Sequence, residues 1–163
     1  MLADSDFEAW YRREQPCLVR ALAVISGDRD IAADLVDEAF SRALAHWNRV
    51  SQMESPGGWV RVVALNLMRR SMRRRALEQR VLRMGSRAAE PEPAIPDTEL
   101  WAAVRALPAR QREVVVLRYV ADCTESETAV ALGISVGAAS ASLVKARRRL
   151  AQVLDPEREV TRP

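Results

Sequence analysis

Three prolines within six residues, Pro91, Pro93 and Pro96, set the architecture open to this chain. Each lacks a backbone N–H and has a fixed φ, so the stretch Gly85–Pro96 cannot sustain a helix and reads as an extended tether. The sequence on either side is helical in composition. Ala, Leu, Val and Arg dominate and aromatics are few, while the apolar share of 48% is enough for real cores. The expectation is an all-α protein of two small helical domains joined by a flexible linker. The first domain spans residues 1–76, the linker 77–97, the second domain 98–155 and a tail 156–163. Residues 76–84 either prolong the last helix of the first domain or open the linker.

In the first block Phe7, Trp10, Tyr11, Cys17, Leu18, Ala21, Leu22 and Ile25 recur at helical spacing. Pro16 divides or kinks that helix, or sits in a first turn, and Gly27-Asp28 ends it. Ile31, Leu35, Ala39, Ala43 and Trp47 line up on a second helix, with Val36, Phe40 and Leu44 beside them. Ser55-Pro56-Gly57-Gly58 breaks the chain. A third helix from about Trp59 turns Val60, Val63 and Leu67 inward. In the second block Asp97 or Thr98 caps a short helix holding Leu100, Trp101, Val104 and Leu107, and Pro108 stops it or opens the next. Arg110 to Val120 reads as helix, although Val114-Val115-Val116-Leu117 has the propensity of a strand.

Thr124 and Glu127 have the spacing of a capping box. Gly133 supplies the left-handed residue that ends the helix, Ile134 fills the gap, and Ser135 caps a helix running to about Leu150 or Leu154. A short helix, a glycine turn and a second helix are the parts of a helix-turn-helix, whose second helix lies in the DNA major groove. Ala129, Ala138 and Ala139 let the two helices approach. Lys145, Arg147, Arg148 and Arg149 are placed to meet phosphates or base edges. The plainer alternative is a helical hairpin with a solvated basic end.

The net charge of +3 hides an uneven distribution. Asp28 to Glu38 holds five acids and one Arg, while Arg61 to Arg87 holds nine Arg and one acid, Glu78. Two such blocks suggest two different partners. Asp30, Asp34 and Glu38 stack on one helical face, with Asp37 at its border. Like charges at that spacing cost roughly 0.2–0.5 kcal/mol per pair, so the ridge is either a solvated face or a docking face for a basic helix. Arg69, Arg70, Arg73, Arg74 and Arg75 follow Trp59, Arg61 and Asn66 on one helix. An aromatic, an amide and an Arg cluster suit single-stranded nucleic acid, though Trp59 taken alone reads as a core residue.

Enzymatic chemistry finds few parts. No Gly-rich phosphate loop, metal-ligand cluster or Ser/His/Asp set stands out, so no catalytic residue, metal or cofactor is expected. His46, the single histidine, reads as packing or surface. Cys17 and Cys123 lack paired spacing and read as two free thiols in a reducing compartment. No apolar run has the length of a membrane span, and the acidic N-terminus lacks a signal core; the expected location is the cytoplasm, with no membrane partner.

Four segments, in order, resemble the extracytoplasmic-function (group 4) sigma factors of the sigma-70 family. Asp34-Leu35-Val36-Asp37-Glu38-Ala39-Phe40 resembles their polymerase-binding motif. Trp59-Val60-Arg61-Val62-Val63-Ala64-Leu65-Asn66-Leu67 with the Arg run resembles their promoter-melting helix. Leu107 to Tyr119 resembles the start of their second domain, and Leu132-Gly133-Ile134-Ser135-Val136-Gly137 with Ala146-Arg147-Arg148-Arg149-Leu150 resembles their helix-turn-helix. The short first domain and the Arg- and Ala-rich wording resemble actinobacterial members.

The resemblance implies a sigma factor that binds core RNA polymerase and directs promoter-specific initiation. Asp34, Asp37 and Glu38 would face the clamp helices of the largest subunit, with Leu35 and Phe40 completing the polymerase-binding set by packing beneath or beside them. Trp59, Arg61, Asn66, Arg69, Arg70, Arg73 and Arg74 would take the near (−10) promoter element as a single strand, with Asn66 lining the pocket of a flipped base. The second domain would bind the polymerase flap through an apolar surface. Its Arg118, Ser135, Ser140, Ser142, Lys145, Arg147 and Arg148 would read the distant (−35) element. An anti-sigma protein is a further candidate partner. The chain departs from the family pattern at Ala138-Ala139-Ser140-Ala141-Ser142, where long basic side chains are usual. Serine lacks bidentate reach and charge, so the distant element is expected to be read weakly. The rival readings are a helix-turn-helix regulator that acts without polymerase, which needs neither the acidic ridge nor the Arg helix, and a decoy that binds polymerase without starting transcripts.

Overall fold

The computed structural model describes residues 2–82 and 98–154, and every regular element among them is a helix. In chain order these are α1 (Leu2–Ser26), α2 (Arg29–Ala45), α3 (Trp47–Val50), α4 (Pro56–Leu82), α5 (Glu99–Ala106), α6 (Ala109–Tyr119), α7 (Glu125–Leu132) and α8 (Val136–Leu154). The greater part of the expected tether, residues 83–97, and the tail from 155 onward lie outside the described residues. Residues 77–82, expected to belong to the linker, continue α4.

Local chemistry accounts for most helix ends. The Asp28 side chain accepts the Ile31 N–H at 3.0 Å and opens α2. Thr98, rather than Asp97, caps α5 by accepting from Trp101, and Pro108 stands at the start of α6. Thr124 and Glu127 form the reciprocal capping box of α7, with bonds of 3.1 and 2.8 Å. Gly133 ends α7 at φ 64°, a conformation that a side chain would strain.

Three expectations need correction. Pro16 does not divide its helix: α1 runs through it for 25 residues, giving up one backbone bond at an exposed position. Pro56-Gly57-Gly58 does not break the chain but forms the first turn of α4, where proline's missing N–H costs nothing. Gly57 is there for space, since a Cβ would come within 3.2 Å of the Arg61 and Glu14 side chains. Trp47 does not extend the α2 line, because the chain turns at His46 and Trp47 opens the single turn α3.

The buried face of α2 is Ala32, Val36, Ala39, Phe40 and Ala43, so it is rotated from the Ile31–Leu35 line; Leu44 is 49% exposed. On α4 the buried set is Val60, Ala64, Leu65 and Met68, whereas Val63 and Leu67 are half-buried. Against these, α1 packs Leu18, Leu22 and Ile25. Phe7, Trp10, Tyr11, Phe40 and Trp47 form an aromatic cluster closing one end, with centroids such as Trp10–Phe40 and Trp10–Trp47 4.9 Å apart.

The two helical units pack on each other, α1 against α6 and α4 against α7, so that one apolar core runs through both. This resolves the ambiguity of Val114-Val115-Val116-Leu117. All four are buried, because α6 is covered by α1 on one side and by α5, α7 and α8 on the others. A helical turn covered on all sides needs no polar stripe, while Arg110 and Tyr119 towards the ends of α6 stay exposed.

The capping box gives a pH-dependent term. The Glu127 carboxyl lies below its usual range, held there first by the Thr124 backbone N–H, with the Thr124 hydroxyl and the Arg61 guanidinium adding to this against desolvation. A carboxyl depressed on folding stabilises above its unfolded pKa, and that contribution is lost as pH falls through the folded value. Glu127→Gln keeps an acceptor for the Thr124 N–H but removes the charge held by the helix N-terminus and Arg61, and is therefore expected to cost about 0.3–1 kcal/mol near neutral pH. In thermal unfolding the gap to the native chain should begin to narrow as pH falls past the unfolded Glu pKa of about 4.3 and close once it has passed the lower folded value.

Candidate nucleic-acid and partner interfaces

The acidic ridge lies on the outer face of α2. Asp34, Asp37 and Glu38 are exposed while Val36 and Phe40 point the opposite way. Asp37 is held in place, its Oδ1 accepting from the Tyr11 hydroxyl at 3.0 Å and from Gln15 Nε2 at 3.4 Å. The Tyr11 phenol is pushed up by burial and by this bond to Asp37. Glu38 pairs with Arg42 one turn on, at 2.9 Å. Phe40, at 2% exposure, cannot touch a docked protein; it stacks beneath the ridge between Trp10 and Tyr11, while Leu35 is half-buried beside it. Tyr11 and Gln15 are supports that sequence reading missed, since only the pairing of α1 with α2 brings them to Asp37.

Next to the ridge, α2 and α4 enclose a cleft of about 440 Å³ lined by Arg42, Val63, Asn66, Leu67, Arg69, Arg70 and Arg73. An exposed amide and two half-buried aliphatic side chains lie among four guanidinium groups. Flat apolar surface with convergent cations suits a base and its phosphates. Arg42 joins the cleft from α2. The sequence marks it only as a partner for Glu38, and its second role follows from the packing of α2 on α4.

The seven residues expected to take the near element do not all meet there. Asn66, Arg69, Arg70 and Arg73 line the cleft. Arg74 is exposed outside it and pairs with Glu78 at 2.7 Å. Trp59 packs against the core, its plainer reading. Arg61 lies in the seam between the two units, 17% exposed, 3.3 Å from Glu127 and 3.8 Å from Glu14. Arg69 also reaches the seam, its Nε and Nη2 donating to the two oxygens of Glu113 at 3.2 and 3.3 Å.

In the second unit the axes of α7 and α8 turn through 103° across Gly133-Ile134-Ser135, within the range of helix-turn-helix units. Ala129 and Ala139 are buried at the crossing, whereas Ala138 is exposed and takes no part in it. Lys145, Arg147 and Arg148 are exposed along α8. Three of the other expected distant-element residues, Ser135, Ser140 and Arg118, have structural partners. Ser135 accepts the Ala138 N–H at 3.1 Å as the cap of α8. Ser140 donates to the Glu125 carboxylate, tying α8 to α7, and Ser142 is half-buried. Arg118 is also half-buried and donates to the Cys123 carbonyl, so it holds the loop ahead of α7 instead of pointing to solvent.

No group of metal-ligating side chains occurs among the described residues, and no single helix among them is long and apolar enough to cross a membrane. Residues 10–78 match the family model for sigma-70 region 2, and residues 97–150 that for sigma-70 region 4. The chain is 29% identical over 156 residues to the RNA polymerase sigma-E factor of Streptomyces coelicolor, covering 91% of this chain and 86% of that protein. It is 28% identical over 142 residues to the ECF RNA polymerase sigma factor EcfG of Rhodopseudomonas palustris, covering 83% and 78%. In fold it is similar to the sigma factor RpoE of Bartonella quintana, solved with the anti-sigma factor NepR, at a TM-score of 0.78 and 23% identity over 93% of this chain and 98% of that one. An acidic ridge, an Arg-lined cleft and a helix-turn-helix thus fall within two matched sigma-70 regions, and the chain belongs to the sigma-70 family, as a sigma factor of the extracytoplasmic-function type.

Proposed function

We propose that this chain is the promoter-recognition subunit of a bacterial RNA polymerase, docking through α2 and holding the opened strand in the cleft between α2 and α4. The observation that carries the reading is the adjacency of two opposite surfaces. The carboxylates of Asp34, Asp37 and Glu38 stand on the same helix that supplies Arg42 to the cleft. A basic helix of the largest subunit fits the first surface and the non-template strand of the near element fits the second. Each attraction is steered by a separate field. Leu35 offers the ridge a partly apolar border, and Phe40 acts from beneath by fixing its slope.

In the cleft, Asn66 is the side chain with both donor and acceptor for the edge of a flipped base. Arg69, Arg70 and Arg73 hold the backbone, with Arg42 as a fourth cation. The unit 98–155 reads the distant element through α8, where Lys145, Arg147 and Arg148 supply charge, and meets the polymerase flap through an apolar surface. With Ser135 and Ser140 engaged inside the unit, readout of base edges there is weak and promoter choice rests on the cleft. The connection between α4 and α5 would follow the polymerase interior. The chain performs no bond-forming chemistry of its own and works in the cytoplasm.

Both large steps can be tested with purified components. The variant carrying Asp34→Ala, Asp37→Ala and Glu38→Ala is expected to lose retention by core polymerase at least about tenfold while keeping its circular dichroism; undiminished retention would remove the docking assignment. Asn66→Ala is expected to reduce initiation on a promoter with a pre-opened near element by roughly tenfold, in keeping with about 1–3 kcal/mol for a side-chain amide paired with a base edge. Base swaps in the near element should reduce run-off transcription more than swaps in the distant one. The reverse order would overturn the assignment of promoter choice to the cleft.

A further inference from the structure

Cys17 and Cys123 belong to different units and are more than a hundred residues apart, yet both sulfurs lie against the loop that follows α6. Cys17 is half-buried on α1, and its thiol donates to the Val120 carbonyl at 3.1 Å. Cys123 is fully buried three residues further along the same loop, and its Sγ lies 3.7 Å from the carbonyl oxygen of Ala121. The two sulfurs therefore rest on the carbonyls of adjacent residues, whose Cα atoms are about 3.8 Å apart. The loop is pinned on either side of this point. Ala121 N–H bonds the Val116 carbonyl at 3.0 Å, Cys123 N–H bonds the Leu117 carbonyl at 2.9 Å, and Asp122 between them adopts φ 50°.

The surroundings give the two thiols different accessibility. A small cavity of about 20 Å³, room for about one water-sized molecule, lies beside Cys17 and is lined by Glu14, Leu18, Val60, Arg61 and Ala121. Burial pushes the Cys123 thiol up to about 11, and Cys17 is near enough to add to that effect. Cys17 is thus the sulfur that a small oxidant reaches, and Cys123 the one screened from it.

We propose that Cys17 and Cys123 are a disulfide-forming pair that locks the two units closed when the cell meets a peroxide. The oxidant's O–O bond breaks and one oxygen passes to the Cys17 sulfur, which becomes a sulfenic acid as water leaves. The Cys123 sulfur then attacks that sulfur, the S–O bond breaks and the S–S bond forms. The hydroxyl departs with the Cys123 proton as a second water. The net change is two thiols oxidised by two electrons and one peroxide reduced to two waters. The cross-link holds Arg61 against Glu127 and Arg69 against Glu113, so neither guanidinium is free for a strand, and α4 cannot part from α7. Its chemistry stands alone; its consequence for transcription rests on the promoter-recognition reading above.

The test uses the full chain, reduced and then exposed to hydrogen peroxide. After alkylation of remaining thiols, peptide mass spectrometry is expected to find Cys17 joined to Cys123 within one molecule. Dithiothreitol should reverse the link, and Cys17→Ser and Cys123→Ser chains should lack it. Run-off transcription with core polymerase should fall at least about tenfold on oxidation of the native chain and stay unchanged for both variants. Absence of the intramolecular link, or links between molecules only, overturns the site. A linked chain that still initiates at the reduced rate overturns the lock. If the reduced chain starts no transcripts, the sigma-factor reading fails, while the mass spectrum still decides the thiol pair.

Discussion

The packing of α4 is the constraint on which the rest of the molecule depends. One strip of this helix, Val60, Ala64, Leu65 and Met68, is buried against α1 and α2. A second strip meets α7 of the other unit. What remains is the line of Asn66, Arg70 and Arg73, open to solvent. At 3.6 residues per turn there is room for little else, and each surface fixes the phase of the others. A cleft that presents four guanidinium groups at close range is held together by apolar contacts on its far side. Without them the like charges would splay.

Charge repulsion along α4 is managed locally. Three guanidinium groups of this helix that do not line the cleft are each given a carboxylate: Glu78 for Arg74, Asp28 for Arg75, Glu127 for Arg61. The exposed pairs among these contribute little to stability, since solvent and salt screen them. The seam pairs are better shielded, with Glu113 at 12% exposure, and charge-assisted bonds of this type contribute about 1.5–3 kcal/mol each. The distribution concentrates binding energy where the two units touch and leaves the outer faces soft.

Features written in short-range chemistry were legible in the sequence. The capping box at Thr124, the left-handed Gly133, the Ser135 cap and the end of α1 before Asp28 follow from single residues and their neighbours. The acidic ridge and most of the cleft were legible too, because Asp34, Asp37, Glu38, Asn66, Arg69, Arg70 and Arg73 each lie within one helix. What escaped depended on which helices adjoin. Arg42 enters the cleft only because α2 lies beside α4, and Tyr11 supports Asp37 only because α1 lies beside α2. Arg61 and Arg118 look like DNA contacts by position, yet both are drawn inward by partners on another segment. Pro56 and Gly57 read as a break, since a proline-glycine pair is usually a turn; here Pro56 opens a helix, where its missing N–H costs nothing, and Gly57 leaves room for Glu14.

Glu113 carries the last consequence. Its Oε2 accepts from Arg69 across the seam at 3.3 Å and from Arg110 within its own helix at 3.2 Å. If the units separate, the carboxylate keeps one cation and is never stripped bare in an apolar setting, the situation that makes ion pairs costly to break. Arg69, for its part, exchanges one anion for another when a phosphate arrives. For this one pair, separation is then a swap of counter-charges, and it is the apolar core shared by α1, α4, α6 and α7 that holds the units together.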